Sequence, residues 1–319
     1  MKISAVIPTI GREGYLPLAI HSLVEQSEPF DEIVIFDNSV KQNITLNTEL
    51  RELENIKVIR SGKQLPPIQS WNSAVASCEN DYVVILGDDD IALKNFKKEV
   101  QRALINSDVV IAKADNIDEN GLFIQDLPYP NQCELSDNKF FQERIKGSCS
   151  LFVPGIAFNK KLFLDIGGFQ NTGIEGCAYS DELLLITMSV KNKKISITKS
   201  ICWRYRVHSG QIAGVRKISD VLITSQNYIR IFENSLTNIN GMNENFNNKI
   251  RIEYLVRVIE YRILLYVEYS ASNKMNFYDF QTELFKNLYS NKIINTKHSI
   301  LLHLKATKFF VSLMLRSSK

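Results

Sequence analysis

The chain of 319 residues carries a formal charge of +3, is 45% hydrophobic and 23% charged, and holds five cysteines, Cys78, Cys133, Cys149, Cys177 and Cys202. That length buries a full core, as one domain with an appendage or as two smaller domains, and the small net charge does not imply nucleic-acid binding by the molecule as a whole; no nucleic-acid partner is expected. Cysteines odd in number and without a CxxC pair argue against a disulfide framework and a structural zinc site, which fits a reducing compartment.

The chain enters an apolar run at once, without the h-region and cleavage site of a signal peptide. No charge-free apolar stretch is long enough to span a bilayer. The expected location is the cytoplasm, or the inner face of a membrane that the chain does not cross.

In chain order, residues 3–7 form a first strand closed by Pro8. Residues 16–25 follow with helical spacing, placing Leu16, Ile20, Leu23 and Val24 on one face. A β-branched run at 32–36 ends in Asp37-Asn38-Ser39, and 56–59 is a third strand. Residues 68–76 read as a helix, and 82–86 as a fourth strand that runs directly into Asp88-Asp89-Asp90. A helix at 96–104 and a strand at 109–112 complete the alternation. Strands alternating with helices predict a parallel sheet covered on both faces, with ligands at the carboxyl ends of its strands.

From 113 to 150 the chain reads as loop, rich in Asn, Asp, Gly and Pro. An apolar segment at 151–169 and a helix at 180–190 follow. After Val221 the pattern is helical with few breakers: Ile252, Leu255, Val256, Ile259, Ile263 and Leu264 recur at helical spacing, and Glu253 with Arg257 is an i,i+4 pair.

Three constellations carry chemistry. Asp37 and the Asp88-Asp89-Asp90 triplet fall at the same edge of the predicted sheet. Adjacent aspartates repel one another unless a cation neutralises them, and Mg2+ or Mn2+ joins one or two carboxylates to substrate phosphates. The alternative is that Asp90 caps a helix starting near Ile91. Asp181, in Ser180-Asp181-Glu182, is either a first-turn acid of an ordinary helix or a general base for an acceptor hydroxyl. His208 lies in Arg204-Tyr205-Arg206-Val207-His208-Ser209-Gly210. It is either a surface histidine or part of a metal shell, with Arg204 or Arg206 the candidate to neutralise a diphosphate.

Val6-Ile7-Pro8-Thr9-Ile10-Gly11-Arg12 resembles the first strand and nucleotide loop of glycosyltransferase family 2. Phe36-Asp37-Asn38-Ser39 is similar to its D-x-S element, and Trp71-Asn72 with Ala74 and Ala76 to its R/W-N-x-A helix. Leu86-Gly87-Asp88-Asp89-Asp90 takes the place of its DxD motif. Pro154-Gly155-Ile156-Ala157-Phe158 and Asp165-Ile166-Gly167-Gly168-Phe169 resemble its acceptor-side segment. Ser180-Asp181-Glu182 stands where its E-D base motif belongs, and Tyr205-Arg206-Val207-His208 where many members keep a basic strand. The ordered set covers residues 1–215. Gly87 replaces the first Asp of the D-x-D-D pattern and Ser180 the Glu of the base motif, so the division of labour among the three aspartates stays open.

The resemblance implies an α/β GT-A fold, a mostly parallel nucleotide-binding sheet flanked by helices, with a helical C-terminal appendage. Residues 1–112 would be the nucleotide-sugar half, 113–215 the acceptor half and 216–319 the helical region. It implies an inverting, metal-assisted transfer from a nucleoside-diphosphate sugar to a glycan or lipid-linked glycan. Asp181 would be the catalytic base. Pro8, Thr9, Arg12, Asp37, Asn72, Asp88, Asp89 and Arg206 would hold the sugar nucleotide. Asp89, Asp90 and His208 would bind Mn2+ or Mg2+. Segment 300–315 is apolar, basic and free of acids, expected either on an inner membrane leaflet or in a core or homo-oligomer contact. The competing functions are a catalytically silent glycan-binding or scaffold protein on the same fold and a sugar nucleotidyltransferase. The latter needs a glycine-rich loop that residues 8–14 do not supply.

Overall fold

In the computed structural model the described residues are 1–12, 14–40, 44–135, 139–146, 148–171, 177, 180–190, 193–210, 278–282, 306–308 and 310. They divide into two units. The first comprises Met1–Gln170 with Ser180–Gln211, and the second Asn171–Tyr179 with Ile212–Lys319. In the second, residues 278–282 and 306–308 are helical. Of the helix expected at 300–315 only 306–308 and 310 are described, all helical, and most of the helical region expected at 216–319 lies outside the described residues. No described helix is long and apolar enough to cross a membrane.

The first unit alternates as expected through its first hundred residues. Strand β1 (Ile3–Thr9), helix α1 (Leu16–Val24) and strand β2 (Glu32–Asp37) come first. They are followed by α2 (Thr48–Arg51), β3 (Ile56–Arg60), α3 (Pro67–Ala76) and β4 (Tyr82–Ile85). Ala5, Ile7, Ile33, Ile35 and Val84 are buried beneath Leu16, Ala19, Ile20 and Leu23 of α1 in one core. An apolar stripe at helical spacing packed on strands this apolar is the outcome that burial favours.

Pro8 does not close β1. The strand continues through it to Thr9, in parallel register with Phe36 and Asp37 of β2. Val6, on the same side of the strand as Pro8, accepts the Leu86 N–H, while the β1–β4 ladder ends at Val6 opposite Ile85. Proline lacks the N–H of the next rung, so β1 runs past Pro8 paired with β2 alone.

Beyond β4 the architecture departs from an all-parallel reading. The later elements are β5 (Ile91–Ala92), α4 (Phe96–Leu104), β6 (Val109–Ile117), β7 (Phe123–Asp126) and α5 (Lys139–Lys146). Then come β8 (Ile156–Asn159), α6 (Lys160–Asp165), α7 (Ser180–Val190) and β9 (Ile195–Arg206). The sheet order is β3-β2-β1-β4-β8-β6-β9-β5, with β7 paired to β6. Strands β1 to β4 are parallel, β8 runs antiparallel to both β4 and β6, and β9 is parallel to β6.

Two sequence expectations fail here for one reason. The loop expected from 113, on its Asn, Asp, Gly and Pro content, does not begin there: Lys113, Asp115 and Asn116 belong to β6. In the fold these residues are held as strand by pairing with Ile201, Arg204 and Tyr205 of β9. Likewise Ile91 begins no helix for Asp90 to cap. Ile91 and Ala92 pair antiparallel with Arg204 and Trp203. Both strands exist because a distant partner supplies their ladder, which local composition does not record.

Candidate functional site

The carboxyl ends of β1, β2 and β4 share one edge, as parallel pairing requires, and β5 then clips the acidic loop to the end of β9. Thr9, buried at the last position of β1, donates its hydroxyl to Asp88 Oδ2 at 2.7 Å and accepts the Gly11 N–H at 2.9 Å. Arg12 Nη1 lies 3.2 Å from Asp88 Oδ1 and also bonds Asp89 Oδ2. Its Nη2 donates to the Gly210 carbonyl at 3.3 Å. Burial raises the Asp88 carboxyl above the ordinary carboxylate range, and the Arg12 charge and Thr9 hydroxyl oppose that rise.

His208 Nε2 lies 3.0 Å from the same Asp89 Oδ2. Its Nδ1 accepts the Gly210 N–H at 3.1 Å, so in the neutral ring the proton sits on Nε2 and is donated to Asp89. Tyr15, missed in the sequence, lies 5.1 Å from the His208 ring, and the Arg206 guanidinium sits over it at 4.8 Å.

Asp90 is fully buried. Its Oδ1 accepts the Arg206 N–H at 2.9 Å, and its Oδ2 has no partner among the described residues. Burial first, then the neighbouring Asp89 charge, push this carboxyl well above the usual range. Gly87 makes the inward turn possible. A Cβ there would overlap Asp90 Oδ2 and lie 2.9 Å from Asp89 Oδ1. An aspartate at 87 is therefore incompatible with this arrangement of the triplet.

Hard carboxylate oxygens at the mouth of the loop suit Mg2+ or Mn2+. Asp89 Oδ1 carries no hydrogen bond among the described residues, and the Asp89 side chain keeps 14% of its surface open. Among the described residues no three acidic, histidine or cysteine side chains converge as a ready-made ligand set. A cation sharing its shell with substrate phosphates needs only one or two carboxylates. Asp89, with Asp88 beside it, fits such a cation. Asp90 lies beneath them, and His208 Nε2 is turned to the same Asp89 Oδ2 at 3.0 Å.

Three other expected site residues have structural partners. Arg206 is buried and its guanidinium donates to the backbone carbonyls of Asp89 at 2.7 Å and of Asp118 and Glu119 at 3.0 Å each. It clamps the acidic loop to the turn before β7. Asp37 accepts the Ser39 N–H and hydroxyl on Oδ1, the Ile44 N–H on Oδ2, and lies 3.7 Å from Arg60 Nε. It shapes the loop after β2. Asn72 bonds Phe169 in both directions at 2.9 Å, tying α3 to the Gly167-Gly168 turn. Replacing Asn72 with Ala is expected to destabilise the fold by about 2–3 kcal/mol, since it strands a buried N–H and C=O. Urea denaturation checks this; a loss under about 0.5 kcal/mol contradicts it.

Asp181 belongs to a separate group. Its Oδ1 accepts the Glu182 N–H at 2.8 Å, and Glu182 is paired through Oε2 with Arg144 Nη2 at 2.8 Å. Burial, then the Glu182 charge, push the Asp181 carboxyl up to about 6, with Arg144 opposing. The sequence shows Glu182 beside Asp181, but no sequence signal marks Arg144, which the fold brings from α5.

Comparison with known proteins places these features. The family model described as Glycosyl transferase family 2 matches residues 4–162. A protein of Haemophilus influenzae named an uncharacterized glycosyltransferase is 24% identical over 173 residues, covering 53% of this chain and 56% of that protein. A poly(ribitol-phosphate) beta-glucosyltransferase of Bacillus spizizenii is 26% identical over 223 residues, covering 65% of this chain and 32% of that one. The chain thus spans about half of the first of these relatives and a third of the second. Among solved structures, Staphylococcus aureus TarS residues 1–349 in complex with UDP-GlcNAc superposes with a TM-score of 0.70 at 18% identity, covering 100% of this chain and 93% of that one. That likeness is one of fold: a GT-A arrangement.

Proposed function

We propose, from the premise that residues 4–162 place this chain in glycosyl transferase family 2, that it moves a sugar from a nucleoside-diphosphate sugar to a hydroxyl of a glycan acceptor with inversion. The observation that carries this reading is the Asp88–Asp89 pair at the carboxyl end of β4, bonded by Thr9 and Arg12 from the end of β1. Asp89, supported by Asp88, would hold Mn2+ or Mg2+. Such an ion, when bound, neutralises charge developing on the departing diphosphate. Arg12 is the guanidinium at the mouth of the loop and would face the phosphates, the role expected of Arg206. Asp181 accepts the proton of the attacking hydroxyl. The UDP-GlcNAc complex of TarS supports a uridine nucleotide as donor, and the relatives named for poly(ribitol-phosphate) support a polyol-phosphate or related polymer as acceptor.

Thermal melts over UDP, GDP and dTDP with Mn2+, paired with hydrolysis of the corresponding sugar nucleotides, test the reading. UDP with Mn2+ is expected to raise Tm, and Asp89→Asn to raise the Mn2+ concentration needed by about 10–100-fold. No stabilisation by any diphosphate and no donor turnover would sink the proposal.

A further inference from the structure

Arg12 makes contacts that a phosphate-binding arginine alone does not need. One nitrogen joins Asp88 Oδ1 and Asp89 Oδ2, the other reaches the Gly210 carbonyl, and only 18% of the side chain is exposed. Gly210 N–H in turn orients the His208 ring, whose Nε2–H points to the same Asp89 oxygen. One guanidinium therefore pairs with both carboxylates at the mouth of the loop and latches the turn at 208–210 across them.

We propose that Arg12 is an internal counter-ion of the Asp88–Asp89 pair, which a divalent cation must displace and which a nucleoside diphosphate then receives. The inference rests on the glycosyltransferase reading above and deepens it. A divalent ion on Asp89 beside an undisplaced guanidinium meets like-charge repulsion at close range, where water screens little. With Arg12 in place the ion therefore binds weakly. A diphosphate offers the guanidinium a second bidentate anion, so Arg12 can leave the carboxylates without losing its pairing. Metal and nucleotide then bind cooperatively, and by linkage each strengthens the other by the same factor. The device keeps the charge of the acidic pair partly offset until donor and metal arrive together. Release of Gly210 by Arg12 also frees the turn that carries His208.

The test is Mn2+ binding to the full chain, followed by electron paramagnetic resonance of free Mn2+ with and without UDP. In Arg12→Gln, Mn2+ alone is expected to bind about tenfold more tightly than in the wild type, and the tightening caused by UDP is expected to shrink by a similar factor. Arg12→Lys keeps a positive charge and is expected to keep most of the wild-type weakness. Circular dichroism melts establish that both variants are folded. Should the glutamine variant be unfolded, Arg12→Met read the same way takes its place. Unchanged or weaker Mn2+ affinity in Arg12→Gln, with UDP coupling intact, overturns the counter-ion role and leaves the glycosyltransferase reading standing. Absence of Mn2+ and UDP binding in the wild type and every variant overturns both.

Discussion

Asp181→Asn is expected to lower sugar transfer by about 10²–10⁴-fold while Mn2+ and UDP binding stay at wild-type strength. The amide keeps the shape and can still accept the Glu182 N–H, but it cannot take a proton from the acceptor hydroxyl. The wild-type pH profile carries the same information. With its carboxyl pushed up to about 6, Asp181 is ionised above that pH and protonated below it, so kcat rises with pH up to about 6 and is level beyond. The variant loses that limb. Stability shifts the other way. A carboxyl raised from 3.8 binds its proton more readily in the fold than in the unfolded chain, so its favourable contribution is complete below pH 3.8 and is lost as pH rises through 6. Asp181→Asn removes that loss, so the variant is expected to melt higher than wild type at pH 7 and level with it near pH 4. A variant with ordinary activity, or a flat wild-type profile from pH 5 to 7, would exclude Asp181 as the base.

Gly155→Ala is expected to cost roughly 2–6 kcal/mol. Gly155 has φ +80, in the left-handed region, and an added Cβ would lie 2.6 Å from Trp203 Cε2 and Nε1. The indole cannot move aside. It is buried, its Nε1 donates to the Ala112 carbonyl at 2.9 Å, and Phe152 packs edge-on at 6.0 Å. Gly155 also donates its N–H to Ile85 and accepts that of Ala112, each at 2.8 Å, so backbone displacement would be felt in both β4 and β6. Because β4 leads into the acidic loop, Mn2+ affinity is expected to fall together with the urea midpoint. A midpoint within error of wild type would show that the Trp203 side of the sheet yields more easily than its packing implies.

Much of this fold was legible in the residues because it is local. The apolar runs at 3–7, 32–36 and 82–86 and the helical stripe at 16–25 each appear in the structure within a few residues of their expected limits. The acidic triplet was expected at a strand's carboxyl end, and it is there. Less legible was what each polar side chain does. Arg206, Asp37 and Asn72 look alike in sequence as donors and acceptors near a nucleotide loop, yet Arg206 and Asn72 are taken up by backbone groups of distant segments and Asp37 by the loop that follows it. Only the spatial neighbour decides between ligand and clamp, since a buried backbone group without a partner is costly and claims the nearest side chain.

The triplet itself shows the division most clearly. The sequence alone determined that three carboxylates follow an apolar strand, that Gly87 precedes them and that Arg12 closes the first loop. Their ranking was decided by tertiary structure: pairing of β5 with β9 turns Asp90 inward onto the Arg206 N–H, with Gly87 leaving the room for it, while Asp88 and Asp89 stay at the mouth under Arg12. Burial and neighbouring charge set a carboxylate's proton affinity and its access to a cation, and both are properties of surroundings assembled from distant parts of the chain.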